Sequence, residues 1–504
     1  MLGRQDRQQG SFELMGPLRE HIPDDHLLVR IDGVLDLSWL PGAVAHLYSE
    51  DLGRPSIDPE SALRLMLAGA LLGIVHDRAL LRAAQDSLSI RWFAGYSLMD
   101  RLPDHSSLTR IRQRWGEELF QRLLERTVEQ CVAAGLVGGS TVHVDATLMR
   151  ANASLSSFVR EHAAAVVRAN AEEESPSGSG GSEPPSPEPS GDGGDTAGEI
   201  VEEKQTDQPT KRLSRSDPDA RLTRKKKGDP CTPAYKVHSV FDDEQGVVLD
   251  VRVTHAGVAD GHELIGQLDA VSARTGTRVA VAIADAGYGY ARNYAELEAR
   301  DCLALIPSQA PSRHRGGMPA FRFKYDAHHD IVRCPRGAKL MRCREHAGGV
   351  TYKARVSDCS GCPLRERCVP PKSKVRSVLI VAGYSALVRA RRAQWRGEVR
   401  GSSLYSRRFF LAEGVFAWAK REFGLGRATR RGVANVAVQA KLAFAALNLR
   451  KLGTPGATGA GWWPIRALLR CLLGSLGLHP GILGRLRQIR RVPAPMAAQC
   501  LPAA

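Results

Sequence analysis

The chain has 504 residues and a formal net charge of +16, with 70 Lys and Arg against 54 Asp and Glu. Because 43% of the residues are hydrophobic, the composition excludes a wholly disordered or a collagen-like chain. It contains no run of eighteen uncharged apolar residues and no apolar N-terminal segment, so we expect a cytoplasmic protein without a membrane span. A strongly basic balance is typical of proteins that bind nucleic acid.

The first 135 residues have the pattern of helices. Asp58-Pro59-Glu60 is typical of a helix start, with an acid as N-cap and a proline at the first helical position. Apolar residues then recur at helical spacing over 63–74. We therefore expect an all-α N-terminal domain over 1–137.

Two stretches of biased composition divide the rest of the chain. Residues 171–200 contain eight acids, no base and many Pro, Ser and Gly. Such a segment cannot bury enough apolar surface to offset the entropy of ordering, so we expect a disordered linker over 161–230. Residues 371–451 contain 18 Lys and Arg but three acids, which is nearly the whole positive excess of the chain.

From residue 138 onward the pattern changes to strands. TVHVDAT, over 141–147, alternates with a period of two, and VAVAIAD forms a largely apolar strand that ends on Asp285. Between them, two alternating runs flank DDEQG, which is a hairpin signal, and a helical segment follows. This order predicts an α/β fold with a mixed, partly parallel sheet and flanking helices.

Two acids stand out because each lies near the end of a predicted strand. Asp145 ends the first alternating stretch, and Asp285 ends the buried strand. In mostly parallel sheets, ligand sites lie at the carboxyl ends of strands, and a divalent cation relieves the repulsion between two such carboxylates. The alternative is that each acid only caps a turn.

A third acid lies in the basic C-terminal stretch. Glu413 and Lys420 are seven residues apart, about two helical turns, so both project from one helix face. Apolar residues mark a different face of the same segment, which predicts that it packs on a core. The alternative is a solvated helix with an incidental ion pair.

These segments together resemble the DDE transposases of bacterial insertion sequences, in the group with an N-terminal helical domain. HVDATLMRANAS is similar to the first-Asp region of that group, IADAGYGYARN to the second, and VANVAVQAKLAFAALNLRKL to its terminal helix. The third-acid region of related enzymes has the pattern Tyr-x2-Arg-x3-Glu-x6-Lys. The present chain has Tyr405-x2-Arg408-x4-Glu413-x6-Lys420, with one extra residue between Arg and Glu.

The resemblance implies a ribonuclease-H-like catalytic core and a DNA-cutting and joining activity. Asp145, Asp285 and Glu413 would be catalytic and would hold two Mg²⁺ ions. Tyr405, Arg408 and Lys420 would contact DNA. The partners would be double-stranded DNA at the terminal inverted repeats and at the target, and a second copy of the chain in a homodimer assembled on DNA. Such a protein would associate with the nucleoid.

The resemblance and the composition together predict seven segments. The first is the helical domain over 1–137, to which the resemblance gives a role in DNA binding or assembly, and the others follow it in chain order. They are the first core strand over 138–160, the linker over 161–230, the ribonuclease-H-like core over 231–308, a Cys-rich insertion over 309–374, the C-terminal part of the core with the Glu helix over 375–452, and a tail of unassigned role over 453–504.

The Cys-rich insertion contains a candidate zinc site. Cys359, Cys362 and Cys368 form a Cys-x2-Cys-x5-Cys motif, and Cys334 precedes them. Four thiolates suit a tetrahedral structural zinc ion, whereas thiolates are poor ligands for Mg²⁺. Two further residues compete as ligands, Cys343 and His346, and the alternative is a set of ordinary reduced cysteines without metal.

Three functions are compatible with these patterns. The first is a transposase that cuts and joins DNA at the ends of its own element. The second is a transposase-derived DNA-binding protein without activity, and the third is a metal-dependent nuclease of the same fold that does not join strands. The presence of all three acids favours an active enzyme.

Overall fold

The computed structural model describes residues 16–49, 56–160, 212–224, 228–309, 318, 320–346, 348–370 and 373–454. All of them belong to one unit, and a second unit over 459–504 lies outside the described residues. The predicted tail lies outside them from residue 455 onward, as does the Pro-, Ser- and Gly-rich stretch over 171–200.

Six α-helices make up the described N-terminal region, as predicted. They are α1 Leu27–Asp32, α2 Leu40–Val44, α3 Pro59–Leu71, α4 Asp77–Asp86, α5 Leu88–Phe93 and α6 His105–Ala133, with 3-10 turns at Leu18–His21 and Ala45–Leu47. The Asp58 side chain caps α3 by accepting a hydrogen bond from the Ser61 N–H at 2.7 Å. Helix α6 is interrupted at Gly116, whose φ of 67° is accessible to glycine at little cost.

A mixed sheet forms the centre of the molecule. Its strands are β1 Thr141–Arg150, β4 Arg221–Thr223, β5 Thr232–Asp242, β6 Val248–His255, β7 Val281–Ala284 and β8 Leu303–Leu305, and a separate pair is formed by β2 Phe158–Arg160 and β3 Arg212–Ser214. The main order is β6-β5-β1-β7-β8, with β4 also on the β5 edge. Strands β6, β5 and β1 are antiparallel, whereas β1, β7 and β8 are parallel.

The insertion forms a second, antiparallel sheet. Its strands are β9 Lys324–Asp326, β10 Ile331–Arg333, β11 Lys339–His346, β12 Gly349–Lys353 and β13 Ser377–Ile380. Helices α9 Val356–Ser360 and α10 Arg365–Cys368 carry Cys359 and Cys368, and Cys362 lies between the two helices. The sheet has its own apolar cluster, which includes Phe323, Val332 and Tyr352.

Helices cover both faces of the central sheet. On one face, Val142, Val144 and Val240 pack with α7 Leu264–Thr275 and α8 Ala291–Ala299. The opposite face packs against the N-terminal helices and the C-terminal part of the chain. The helices beyond the insertion are α11 Tyr384–Trp395, α12 Ser403–Arg408, a π-helical turn Phe409–Glu413, α13 Gly414–Glu422 and α14 Val433–Leu452.

The structure corrects the predicted linker at its C-terminal end. Residues 212–224, expected to be disordered, form β3 and β4. Their order has a clear cause, because Ala220 and Asp217 are buried and the Tyr235 hydroxyl donates a hydrogen bond to Asp217 at 2.5 Å. The low-complexity composition that predicted disorder therefore does not extend to residue 230.

Strand order, mixed direction and two-sided helical cover together give a ribonuclease-H-like fold preceded by a helical region, which confirms the predicted fold class. None of the described helices combines the length and the apolar character needed to span a bilayer.

Candidate active site

Two acids lie side by side at the point where the parallel pairing of β1 with β7 ends. The two strands run parallel with Val144 opposite Ala284, and Asp145 and Asp285 are the next residues along each. The side chain of Asp145 is 11% exposed and that of Asp285 is 42% exposed. Asp285 follows the end of β7 as predicted, whereas the prediction that Asp145 lies at a strand end is wrong, because β1 continues along β5 to Arg150. The two acids are nevertheless neighbours, and Asp145 is the deeper member.

Backbone amides hold one oxygen of each aspartate. The Ala146 N–H donates to Oδ1 of Asp145 at 2.9 Å, and the Gly287 N–H donates to Oδ1 of Asp285 at 2.8 Å. The other oxygen of each carboxylate, Oδ2, faces the guanidinium of Arg408. Its Nη2 lies 3.0 Å from Oδ2 of Asp145 and 3.9 Å from Oδ2 of Asp285.

Glu413 joins the same guanidinium. Its Oε1 lies 3.3 Å from Nη1 of Arg408. Asp145, Asp285 and Glu413, here called the three-acid cluster, are therefore gathered around a single arginine. They come from two neighbouring strands and from a helical segment more than a hundred residues further along the chain.

A π-helical turn explains how Arg408 and Glu413 meet in spite of the extra residue between them. Arg408 ends α12 and Glu413 ends the π turn. A π-helix closes its hydrogen bonds from i to i+5, so residues five apart lie one above the other. In a regular α-helix the same two residues would point about 140° apart. The turn thus absorbs one residue and keeps both side chains on one face.

The electrostatics of the site show an excess of negative charge. Burial raises the pKa of Asp145 from 3.8 to about 6, although Arg408 opposes the rise and Asp285 adds to it. Burial also raises the pKa of Asp285, again against the effect of Arg408 and with a contribution from Asp260. One arginine therefore does not balance the carboxylates, and the site favours additional positive charge.

The predicted DNA-contacting residues lie beside this cluster. The Lys420 Nζ donates a hydrogen bond to Oγ1 of Thr147 at 2.5 Å, and Thr147 is two residues from Asp145 on β1. Burial raises the pKa of Tyr405, while the charge of Arg408 lowers it, so the phenol lies within the field of the site. The structure thus places Arg408 and Lys420 in contact with β1, and Tyr405 near Arg408.

A fourth acid and its partner, which no sequence pattern marked, lie near Asp285. Oδ1 of Asp260 lies 2.7 Å from Nζ of Lys236. Oδ2 of Asp260 and Oδ1 of Asp285 each lie 2.9 Å from the point that a Cβ on Gly287 would occupy. Glycine is therefore needed at this position, because a side chain would collide with both carboxylates. Asp260 follows β6 by five residues, so no strand-end signal pointed to it.

A buried tyrosine faces the same acids. Tyr288, in the Asp-x-Gly-Tyr motif, is 1% exposed, and its hydroxyl has no hydrogen-bond partner among the described residues. Burial raises its pKa well above 10, and the charges of Asp145 and Asp260 raise it further. The hydroxyl is thus a neutral dipole next to the aspartates.

A separate contact anchors the helix that carries Arg408. Nη1 of Arg407 lies 2.6 Å from Oδ2 of Asp243, and His143 Nε2 forms a 2.7 Å hydrogen bond with Oδ1 of the same carboxylate. Because His143 lies on β1, Asp243 ties the end of α12 to the strand that carries Asp145. Neighbouring arginines therefore have different partners.

The cysteines of the insertion lie close together. Cys359 and Cys368 are buried in its apolar cluster and Cys334 packs against that cluster. Burial raises the pKa of Cys368, and so do the nearby Cys359, Cys334 and Cys362. Cys343 is exposed on β11. Four of the five insertion cysteines thus share one neighbourhood, the same four that the sequence predicts as ligands.

Among the described residues, no three His, Cys, Asp or Glu side chains surround one point closely enough to hold a metal ion. For the three-acid cluster the reason is visible, because the guanidinium of Arg408 lies between the carboxylates. The donor chemistry nevertheless fits Mg²⁺, which prefers carboxylate oxygens, and Oδ2 of Asp145 and of Asp285 already faces a cation.

Three family models match the chain. One, described as a transposase domain (DUF772), matches residues 17–114. Two, both described as a transposase DDE domain, match residues 206–356 and 333–453, which contain Asp285 and Glu413. No curated protein and no solved structure matches it. Most of the helical region, the central sheet apart from β1, and the Glu helix are thus each matched by a transposase domain. The chain belongs to the DDE transposases of insertion sequences.

Proposed function

We propose that this transposase binds the ends of its insertion sequence and catalyses Mg²⁺-dependent cleavage and strand transfer of double-stranded DNA. The observation that carries the proposal is the convergence of Asp145, Asp285 and Glu413 on one cationic group. Three carboxylates with too little positive charge around them are what two-metal phosphoryl transfer requires.

In this proposal the three-acid cluster holds two Mg²⁺ ions. When bound, the ions supply an activated attacking hydroxyl and stabilise the leaving oxygen of an in-line displacement. The chain itself orients the three carboxylates. The amides of Ala146 and Gly287 fix Oδ1 of each aspartate, so that Oδ2 is presented to the cation. Glu413 is presented from the opposite side by the π turn.

Lys420, Tyr405 and Arg408 would position DNA next to the carboxylates. The basic C-terminal part of the chain attracts DNA phosphates. Binding to the terminal inverted repeats and to target DNA should therefore weaken steeply as the salt concentration rises. Each protomer would act on one end, in a homodimer assembled on DNA. We expect such an enzyme in the cytoplasm, in association with the nucleoid.

The test is nicking and joining of a DNA that carries the terminal repeats of the element. Asp145→Asn, Asp285→Asn and Glu413→Gln preserve side-chain shape, and each should lower Mg²⁺-dependent nicking by at least about a thousandfold. Asp269→Asn, which alters an exposed acid paired with Arg300, is the matched control and should cleave normally.

Two outcomes would favour the alternatives. Repeat-specific binding without nicking by the unaltered protein would mean a transposase-derived DNA-binding protein. Nicking without strand-transfer products would mean a nuclease. A fully active Glu413→Gln enzyme would show that the third acid is wrongly assigned.

A Lys420→Ala variant separates DNA contact from catalysis. It removes one cation beside Thr147 and leaves the carboxylates in place. We expect weaker binding to all DNA sequences and a salt dependence shallower by about one unit of slope, as for the loss of one phosphate contact. An unchanged slope would place Lys420 outside the DNA interface.

We also propose a structural zinc ion bound by Cys334, Cys359, Cys362 and Cys368. The shared neighbourhood of these thiols supports it, as does the preference of zinc for four thiolates. Protein purified without chelator should contain about one zinc per chain. Cys343→Ser should leave the zinc content unchanged, and absence of zinc from the unaltered protein would refute the assignment.

A further inference from the structure

Arg408 contacts the carboxylate oxygens that a metal ion would use. Each aspartate has one oxygen already engaged, because Oδ1 of Asp145 and Oδ1 of Asp285 accept backbone hydrogen bonds. The oxygen left on each, Oδ2, is the one that faces the guanidinium. A divalent ion therefore cannot bind these oxygens while Arg408 is in its present position.

The guanidinium is held loosely for a buried group. Its side chain is 14% exposed, yet only the contact with Asp145, at 3.0 Å, has the usual length of a charged hydrogen bond. The contacts with Glu413 and Asp285 are 3.3 and 3.9 Å. Nε of Arg408 is buried without a hydrogen-bond partner among the described residues, so no further bond holds the group.

The backbone beneath Arg408 is also unusual. The residue ends α12 and is followed directly by the π turn, and rotation about the side-chain bonds of arginine moves its guanidinium without any change in this backbone. The rest of the helix stays anchored, because Arg407 is bound to Asp243. Arg408 can therefore leave the carboxylates while α12 keeps its place.

We propose that Arg408 is a displaceable counter-cation. It holds the three-acid cluster together, competes with divalent ions for Oδ2 of both aspartates, and passes to a DNA phosphate when the ions bind. The inference rests on the proposed function, since it assumes that these carboxylates take up metal. Arg408 is a positioning residue in this scheme, and it makes metal binding and DNA binding support each other.

The test is the affinity of the full-length protein for Mn²⁺ without DNA, measured from the electron paramagnetic resonance signal of free Mn²⁺. Arg408→Gln removes the competing charge, so we expect Mn²⁺ to bind about tenfold to a hundredfold more tightly than to the unaltered protein. Arg408→Lys keeps the charge but cannot reach two carboxylates at once, and it should bind Mn²⁺ severalfold more tightly.

Arg389→Gln is the matched control. It removes one arginine from an ion pair with Glu298 and leaves the three-acid cluster untouched, so the affinity for Mn²⁺ should not change. The melting temperature of each variant without Mn²⁺ shows that it is folded. If Arg408→Gln does not fold, the Mn²⁺ affinity of Arg408→Lys is the deciding measurement.

The outcomes separate the inference from the proposed function. The inference would be overturned if Arg408→Gln bound Mn²⁺ with the same affinity as the unaltered protein. Where only Arg408→Lys folds, the same comparison is made with that variant. Mn²⁺ binding that Asp145→Asn does not weaken would overturn the proposed function instead, because the ion would then lie elsewhere. If the Arg408 variants bind Mn²⁺ more tightly, and if adding Asp145→Asn removes that gain, the result supports both the inference and the proposed function.

Discussion

Two buried aspartates in this chain have nearly the same exposure and opposite electrostatics. The side chain of Asp145 is 11% exposed and that of Asp77 is 12% exposed. Burial raises the pKa of Asp145 to about 6, because Arg408 and the Ala146 amide do not outweigh it and Asp285 adds to the rise. Burial acts on Asp77 in the same direction, but Arg112 and Arg430 outweigh it, and the pKa of Asp77 is lowered.

The difference lies in the balance of charge around each carboxylate. In the Asp77 cluster, formed by Asp77, Arg112 and Arg430, two arginines share one acid at 2.6 and 2.7 Å. In the three-acid cluster, three acids share one arginine. At equal burial, the charge of Asp77 is therefore fully compensated and the contact is structural, whereas the three-acid cluster favours the binding of an additional cation.

The first prediction concerns the structural cluster and has the largest expected effect on stability. Asp77→Ala leaves Arg112 and Arg430 close together without their shared carboxylate. The free energy of unfolding should fall by about 3–5 kcal/mol, because a broken buried pair leaves uncompensated charge. Urea denaturation followed by circular dichroism measures this.

Glu398→Ala provides the control for that loss. It removes the acid from an exposed pair with Arg396 and should change the free energy of unfolding by less than about 1 kcal/mol. If Asp77→Ala cost no more than this control, the Asp77 cluster would not be a structural contact and the comparison would fail.

The second prediction has the opposite sign and concerns the three-acid cluster. At pH 8 in chelator, Asp145→Asn should raise the free energy of unfolding by about 3 kcal/mol, because the ionised carboxylate is disfavoured in the fold by a pKa shift from 3.8 to about 6. Urea denaturation of this variant, of the Asp269→Asn control and of the unaltered protein measures the change. A destabilised Asp145→Asn would mean that Arg408 balances the acids fully.

The third prediction concerns pH. Because the folded-state pKa of Asp77 lies below its ordinary value of 3.8, its ionised form favours the fold. The stabilisation is present above pH 3.8 and is lost as the pH falls through the folded-state pKa. The difference in urea midpoint between the unaltered protein and Asp77→Asn should be constant from pH 5 to 8 and shrink below pH 4. A difference that grew on acidification would reverse the assigned sign.

Local signals in the sequence were enough for the sheet and for two acids. A period of two and an apolar run marked β1 and β7, and the end of β7 marked Asp285, whereas Asp145 lies within β1, which continues to Arg150. Glu413 needed the resemblance to a family, because one acid in a basic helix carries no local signal. The structure brings all three together, and their catalytic roles stay predictions.

Contacts between distant segments could not be predicted. Asp77 and Arg430 are 353 residues apart, and neither lies in a pattern that singles it out. Asp260 and Lys236 lie on separate elements, and their proximity to Asp285 depends on how the turn at Gly287 folds. The strands at 212–224 follow a low-complexity stretch that concealed them.

The last prediction concerns the extra residue between Arg408 and Glu413, and the expected effect is small. Phe409 and Phe410 in the π turn are 55% and 37% exposed, so loss of one of them removes little packing. Deletion of Phe410 should convert the π turn into α-helix with Arg and Glu four residues apart, which again places them on one face.

Nicking activity and Mn²⁺ affinity of this deletion should therefore stay within about tenfold of the unaltered protein, since the carboxylate geometry is kept. Deletion of Ala417 is the contrasting change, because it also removes one exposed residue from the same segment but lies within regular α-helix. It moves Lys420 away from Thr147 and shifts the buried Trp418 and Ala419 out of register. If both deletions were equally damaging, the π turn would be more than a way to absorb one residue, and Arg408 would depend on it for its movement.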